Sequence, residues 1–215
     1  DRKLSKYDTI ILYDVSSLQD EALQDLDTFV REGKSLLIFC SGTLDPMKFN
    51  DTLGRGGLER LPLSPALVGN DRELKEPERI SLEPLHKSFG EEVTFQPGPW
   101  LAPFKDFRRA ELSVIRFEKL REVRSIEKGA NVLMRSEQGQ PIAIEAQRDV
   151  GKVILFAFGV ELSRGNIAMA KAFLPLIWRL MDYASGRLRA TPPDTLVASR
   201  PSVLDASETS FRFVD

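Results

Sequence analysis

The stretch Gly33-Lys34-Ser35-Leu36-Leu37-Ile38-Phe39-Cys40-Ser41-Gly42 decides the fold. A charged segment ends at Gly33, a run of buried-strand character follows, and the only cysteine of the chain stands where that strand runs out. In an open α/β sheet the carboxyl ends of the strands are where ligands bind and nucleophiles are displayed. A cysteine there, followed by small residues, has the pattern of a nucleophile elbow.

Upstream, residues 7–14 read Tyr-Asp-Thr-Ile-Ile-Leu-Tyr-Asp, a nearly continuous apolar run that predicts a parallel strand buried on both faces. It exits through Asp14-Val15-Ser16-Ser17. From about Asp20 to Glu32 the positions Leu23, Leu26, Phe29 and Val30 fall at helical spacing. Asp20 and Glu21 suit a first helical turn, and Gly33 is the stop. Strand, helix and strand with short joints form a right-handed βαβ unit whose two strands lie parallel and adjacent.

Downstream, Asp45-Pro46 opens a short helix through Leu53, and residues 41–79 otherwise read as a long excursion over the sheet edge. Residues 80–109 continue it, because Pro84, Pro97, Pro99 and Pro103 forbid long helices. Ser113 to Phe117 has strand character. Residues 131–135, 141–147 and 152–158 are strand-like runs joined by short glycine-bearing connections, which predicts an antiparallel meander added to the parallel sheet. Residues 166–184 predict a helix that is apolar nearly all round and so well buried, with Pro175 bending it or marking its first turns. The expected organisation is one α/β domain over 1–186, then a linker or tail over 187–215 leading into a following segment.

A length of 215 residues, 42% hydrophobic and 29% charged, suits one good-sized globular domain. A net charge of −2 makes no electrostatic case for nucleic acid or an anionic membrane surface. One cysteine excludes an internal disulfide, and a single histidine, His86, makes a histidine-based metal site a poor expectation. No cofactor and no metal is expected. No apolar run approaches the roughly 18 residues that a membrane span requires, so this stretch is not expected to insert in a membrane. The opening at Asp1 with a polar lead suggests a piece of something longer.

The order Tyr-Asp-Thr-Ile-Ile-Leu, amphipathic helix, Glu-Gly-Lys-Ser-Leu-Leu-Ile-Phe-Cys-Ser-Gly resembles the nucleophile half of class I glutamine amidotransferases. In that family a strand runs into Gly-Ile-Cys-x-Gly, the cysteine attacks the glutamine amide, and a later strand ends in Phe-His-Pro-Glu. Here the corresponding run is Phe158-Gly159-Val160-Glu161, with glycine where the catalytic histidine stands and valine for the proline. A closer resemblance, over about 7–185, is to the amidotransferase-like domain of large bacterial membrane proteins with a BatA-type, aerotolerance-related N-terminal segment. It is carried by Leu-x-Asp-Glu…Phe-Val-Arg-x-Gly, Asp45-Pro46…Phe49-Asn50, Leu-Pro-Leu at 61–63, and Gly-x-Pro-Ile-Ala-Ile-Glu…Gly-Lys-Val-Ile-Leu-Phe-Ala at 139–157. The resemblance implies a flavodoxin-like, amidotransferase-like sheet with an antiparallel extension. It also implies an extracytoplasmic position in a membrane-anchored parent and no established catalysis.

The chemistry is weighed residue by residue. A thiolate needs a histidine or a helix N-terminus to lower its pKa, and Cys40 has neither nearby in sequence. Asp14, at the end of the neighbouring strand, would raise that pKa. His86, 46 positions after Cys40, is the remaining candidate base. Asp14, Cys40, Ser41, Gly159 and Glu161 are expected to frame a cleft at the carboxyl edge, with Arg164 placed to pair with one of the carboxylates. Gly54-Arg-Gly56-Gly57 lacks a dinucleotide-loop context, and Ser125-Ile-Glu-Lys128 lacks the companion motifs of a penicillin-binding site. Arg108-Arg109 and the basic residues of 116–124 read as a solvated face. The expectation is a non-catalytic amidotransferase-like domain acting in binding or assembly, with protein partners or other domains of the same chain. The alternatives are a cysteine-dependent amidotransferase or hydrolase using Cys40, Glu161 and a rearranged base such as His86, and a small-ligand or sugar-binding module.

Overall fold

The computed structural model describes residues 4–55, 62–81, 94–95, 99–101, 112 and 114–188. Strand β1 (Thr9–Tyr13) leads into helix α1 (Asp20–Arg31), which carries Asp20 and Glu21 in its first turn. The helix stops at Gly33, whose φ of 94° is available to glycine at little steric cost. Strand β2 (Ser35–Phe39) follows and pairs in parallel with β1, Thr9 opposite Ser35 and Tyr13 opposite Phe39. The βα unit read from the sequence is present with these short joints.

Helix α2 (Pro46–Phe49) is capped by Asp45, which accepts from the main-chain N–H of Met47 and Lys48, and it runs on as a π-helical turn over Asn50–Gly54. Strand β3 (Ala66–Ser81) then pairs antiparallel with β5 (Arg116–Ile126), while β4 (Thr94–Phe95) lies parallel beside β6 (Asn131–Ser136). Strands β6, β7 (Pro141–Arg148) and β8 (Gly151–Phe156) form the expected antiparallel meander. Strand β8 returns beside β2 in parallel, giving a mixed sheet in the order β1-β2-β8-β7-β6-β3-β5 with β4 off that path. The last helix, α3, spans Phe173–Ala184.

The sheet is the middle layer. On one face α1 places Leu23, Leu26, Phe29 and Val30 against Leu36, Ile38, Val153 and Leu155. On the other, α3 places Leu176, Leu180 and Ala184 over Leu37, Phe39, Ile154 and Phe156. Each aliphatic or aromatic side chain fully buried this way contributes roughly 1.5–3 kcal/mol.

Four expectations change. β1 is an edge strand and not buried on both faces: Ile10 and Leu12 pack toward α1, but Ile11 is 48% exposed. Much of the supposed excursion before residue 82 is β3: its consecutive charged residues carry no strand periodicity, and pairing with the distant β5 is what holds them extended. The strand placed at 113–117 starts at Arg116 and runs to Ile126, and the face read there as solvated includes Arg121, whose side chain is buried. Finally, α3 starts at Phe173, with Pro175 in its first turn, and is not buried all round: Leu174 and Trp178 are each 75% exposed. Arg187 and Leu188 still belong to the packed body, through Arg187 to Asp8 and Leu188 against the α3-side core. The rest of the expected tail, 189–215, lies outside the described residues.

Candidate functional site

The carboxyl edge of β1, β2 and β8 gathers Asp14, Ser41, Gly159, Glu161 and Arg164, as the strand order requires. Alternation along β2 decides what faces what. Leu36, Ile38 and Cys40 point into the α1-side core, while Leu37 and Phe39 point into the α3-side core. The main chain of Cys40 donates to the carbonyl of Phe156 at 2.9 Å, so the ladder is intact at that residue. Cys40 is 0% exposed, and burial pushes its thiol up to about 12, with Asp14 adding to the shift and Arg121 opposing it.

Ser41, the next residue, takes the place in the polar group. Its hydroxyl donates to Glu161 Oε1, its main-chain N–H donates to Asp14 Oδ1 at 3.0 Å, and its carbonyl accepts from Arg121 Nη2. Gly159 lies directly against this pair. A Cβ built there would meet the Glu161 carboxylate and the Ser41 hydroxyl and Cβ, so a side chain at position 159 requires both neighbours to shift. Glycine at this position leaves room for the Ser41–Glu161 contact.

Asp14 holds the turn after β2 from the neighbouring strand. It adopts φ 57°, a left-handed conformation that aspartate tolerates better than most residues. Its Oδ2 accepts the Thr43 N–H at 3.0 Å and the Thr43 hydroxyl as well. Beyond the turn, Arg164 binds Asp71 through both Nη atoms, Nη2 to Oδ1 at 2.7 Å. Its Nε approaches Glu161 Oε2 only at 3.9 Å, so the expected pairing of Arg164 with Glu161 is secondary to Asp71. Burial alone would lower the Arg164 pKa, but the hydrogen bonds and charge of Asp71, with Glu161 and Asp14, hold it above its ordinary value.

Arg121 is buried between these groups, donating to the Gly69 carbonyl at 3.3 Å and lying 3.6 Å from Asp71 Oδ1. Tyr13 closes the β1 side, its hydroxyl accepting the Val160 N–H at 3.0 Å, and its pKa is raised by burial. Sequence reasoning missed Arg121, Asp71 and Tyr13. Arg121 sits in a strand of alternating charge, and Asp71 lies 93 positions from its arginine partner, so no local pattern marks either. His86 lies outside the described residues.

The result is three carboxylates and two guanidiniums that largely neutralise one another, with the thiol on the opposite face of the strand. Among the described residues no group of three or more His, Cys, Asp or Glu side chains is placed to hold a metal ion.

No family model matches the sequence, and no curated protein matches it. Solved structures do share its shape. The cytoplasmic protein STM3548 from Salmonella typhimurium is similar at a TM-score of 0.59 and 16% identity, over 84% of this chain and 73% of that one. The cytoplasmic protein STM1381 from Salmonella typhimurium LT2 is similar at 0.55 and 14%, over the same shares. At these identities the likeness is one of fold alone.

Proposed function

We propose that this chain is a non-catalytic domain of the glutamine amidotransferase-like kind, flavodoxin-like in its parallel half, acting in binding or assembly within a larger membrane-anchored protein. The observation that carries this reading is the state of the strand end. The thiol that would attack is fully buried on the α1 face, and the position of the missing histidine is packed against Ser41 and Glu161. A cysteine hydrolase needs an exposed thiolate beside a base. Cys40 is buried, and among the described residues no histidine stands beside it.

A role with protein partners is supported by the surface. Leu174 and Trp178 on α3 are exposed, and β1 presents Ile11 and Tyr13 at the edge of the sheet. The membrane-anchored, extracytoplasmic setting rests on the sequence resemblance. Among the described residues no helix is long and apolar enough to cross a membrane.

The test is alkylation of Cys40 across pH in the native chain and in denaturant. The expected result is rapid labelling of the unfolded chain and none of the native chain up to about pH 10. A native reaction with an apparent pKa well below the ordinary thiol value of 9.0 would overturn the reading.

A further inference from the structure

We propose that the turn following β2 is a carboxylate-binding site that Asp14 fills from within the chain. A free carboxylate of the acetate class takes the place when the Asp14 side chain is removed. The inference stands apart from the inert-thiol reading, because it uses the main-chain N–H groups of the turn and not Cys40.

The geometry is that of a ligand in a site. The two oxygens of one carboxylate are divided between two main-chain donors, Oδ1 on the Ser41 N–H and Oδ2 on the Thr43 N–H, both at 3.0 Å. The Thr43 hydroxyl adds a third donor to Oδ2. Successive N–H groups converging on one anion form a concave nest of fixed partial positive charge. Such a two-oxygen arrangement suits a carboxylate, whose two acceptor atoms each take one N–H group.

Three further features make it a site and not an ordinary turn. The group occupying it comes from another strand, 27 and 29 positions away in sequence. The backbone that delivers it sits at φ 57°, a conformation disfavoured for a residue with a side chain, so the contact must offset that cost. The place is open on one side: Gly42 and Thr43 are exposed and Asp14 is half-buried, while Ser41 is buried. Two guanidiniums stand near this carboxylate, each already facing Asp71. The Arg121 guanidinium donates to the carbonyl of Ser41, and Arg164 feels the Asp14 charge.

The tethered carboxylate outcompetes free ones through its effective concentration, so the wild-type chain ignores acetate. Asp14→Gly removes a group with the composition of acetate's own carboxymethyl fragment and leaves a residue at ease at positive φ. The same turn is then left with two unpartnered N–H groups, one at exposed Thr43 and one at buried Ser41.

The experiment is thermal unfolding of the full 215-residue chain in sodium acetate, sodium formate and sodium chloride at equal ionic strength. Asp14→Gly should melt lower than wild type in chloride. Acetate should raise its midpoint with the logarithm of concentration once above the dissociation constant, with about a tenfold gain in the folding equilibrium constant at nine times that constant. Wild type should respond alike to all three salts, and so should Asp14→Asn, whose side chain still fills the turn. If Asp14→Gly does not fold in chloride, refolding in acetate against chloride makes the same test, with recovery expected in acetate only. Equal acetate responses of Asp14→Gly and wild type, a variant as stable as wild type in chloride, or no recovery in acetate would each overturn the proposal.

Discussion

Gly159 carries the clearest consequence at the scale of a single residue. A Cβ at this position meets both Glu161 and Ser41, which are themselves bonded to each other. The Glu161 carboxylate can swing aside, but the Ser41 Cβ is also met, and Asp14 and Arg121 hold Ser41 through its main chain. Gly159→Ala should therefore cost about 1–3 kcal/mol, the range for overpacking a filled site, read as a lowered urea midpoint at unchanged slope. Gly159→His should be at least as costly and should leave Cys40 unlabelled in the native state, because the thiol faces the opposite core. A neutral Gly159→Ala would mean that the Ser41–Glu161 contact is loose.

Helix α3 sets the argument at the scale of elements. Its composition is apolar nearly all round, yet the body covers only one stripe of it. Leu176 and Leu180 lie in the core, while Leu174 and Trp178, also one turn apart, face outward. Leu180→Ala should destabilise by about 2–5 kcal/mol, whereas Trp178→Ser should stay within about 0.5 kcal/mol. Denaturant titration of the two variants checks this contrast. A large loss at Trp178 would show that this face is covered in solution. Edge strand β1 poses the same problem in a sheet. Its composition matches β2, and only its place in the strand order distinguishes an edge from a centre.

At the scale of the whole molecule, the buried thiol ties stability to pH. The folded pKa of Cys40 is raised by burial to about 12, above its ordinary value of 9.0, so the folded chain keeps a proton that the unfolded chain releases first. The stabilisation is complete below pH 9.0 and is lost as pH rises toward about 12. The slope from this one group is at most about 1.4 kcal/mol per pH unit. Comparing denaturant stabilities of wild type and Cys40→Ala at mildly and strongly alkaline pH should show a shallower decline in the variant. Parallel declines would remove Cys40 as a source of the alkaline loss.

The parallel unit, the meander and the carboxyl-edge position of Asp14, Ser41, Gly159 and Glu161 were legible in the sequence alone. Each depends on local periodicity: the helical spacing of Leu23, Leu26, Phe29 and Val30, the stop at Gly33, and the short connections between β6, β7 and β8. The long ribbon of β3 and β5, the burial of Arg121 and the pairing of Arg164 with Asp71 were not legible, because long-range pairing brings those residues together. The decisive feature is the division of labour between Cys40 and Ser41. Sequence placed both at the end of one strand. The face that each side chain occupies follows from the pleat of β2 between two helical layers, so tertiary packing alone buried the thiol and brought the hydroxyl to Glu161.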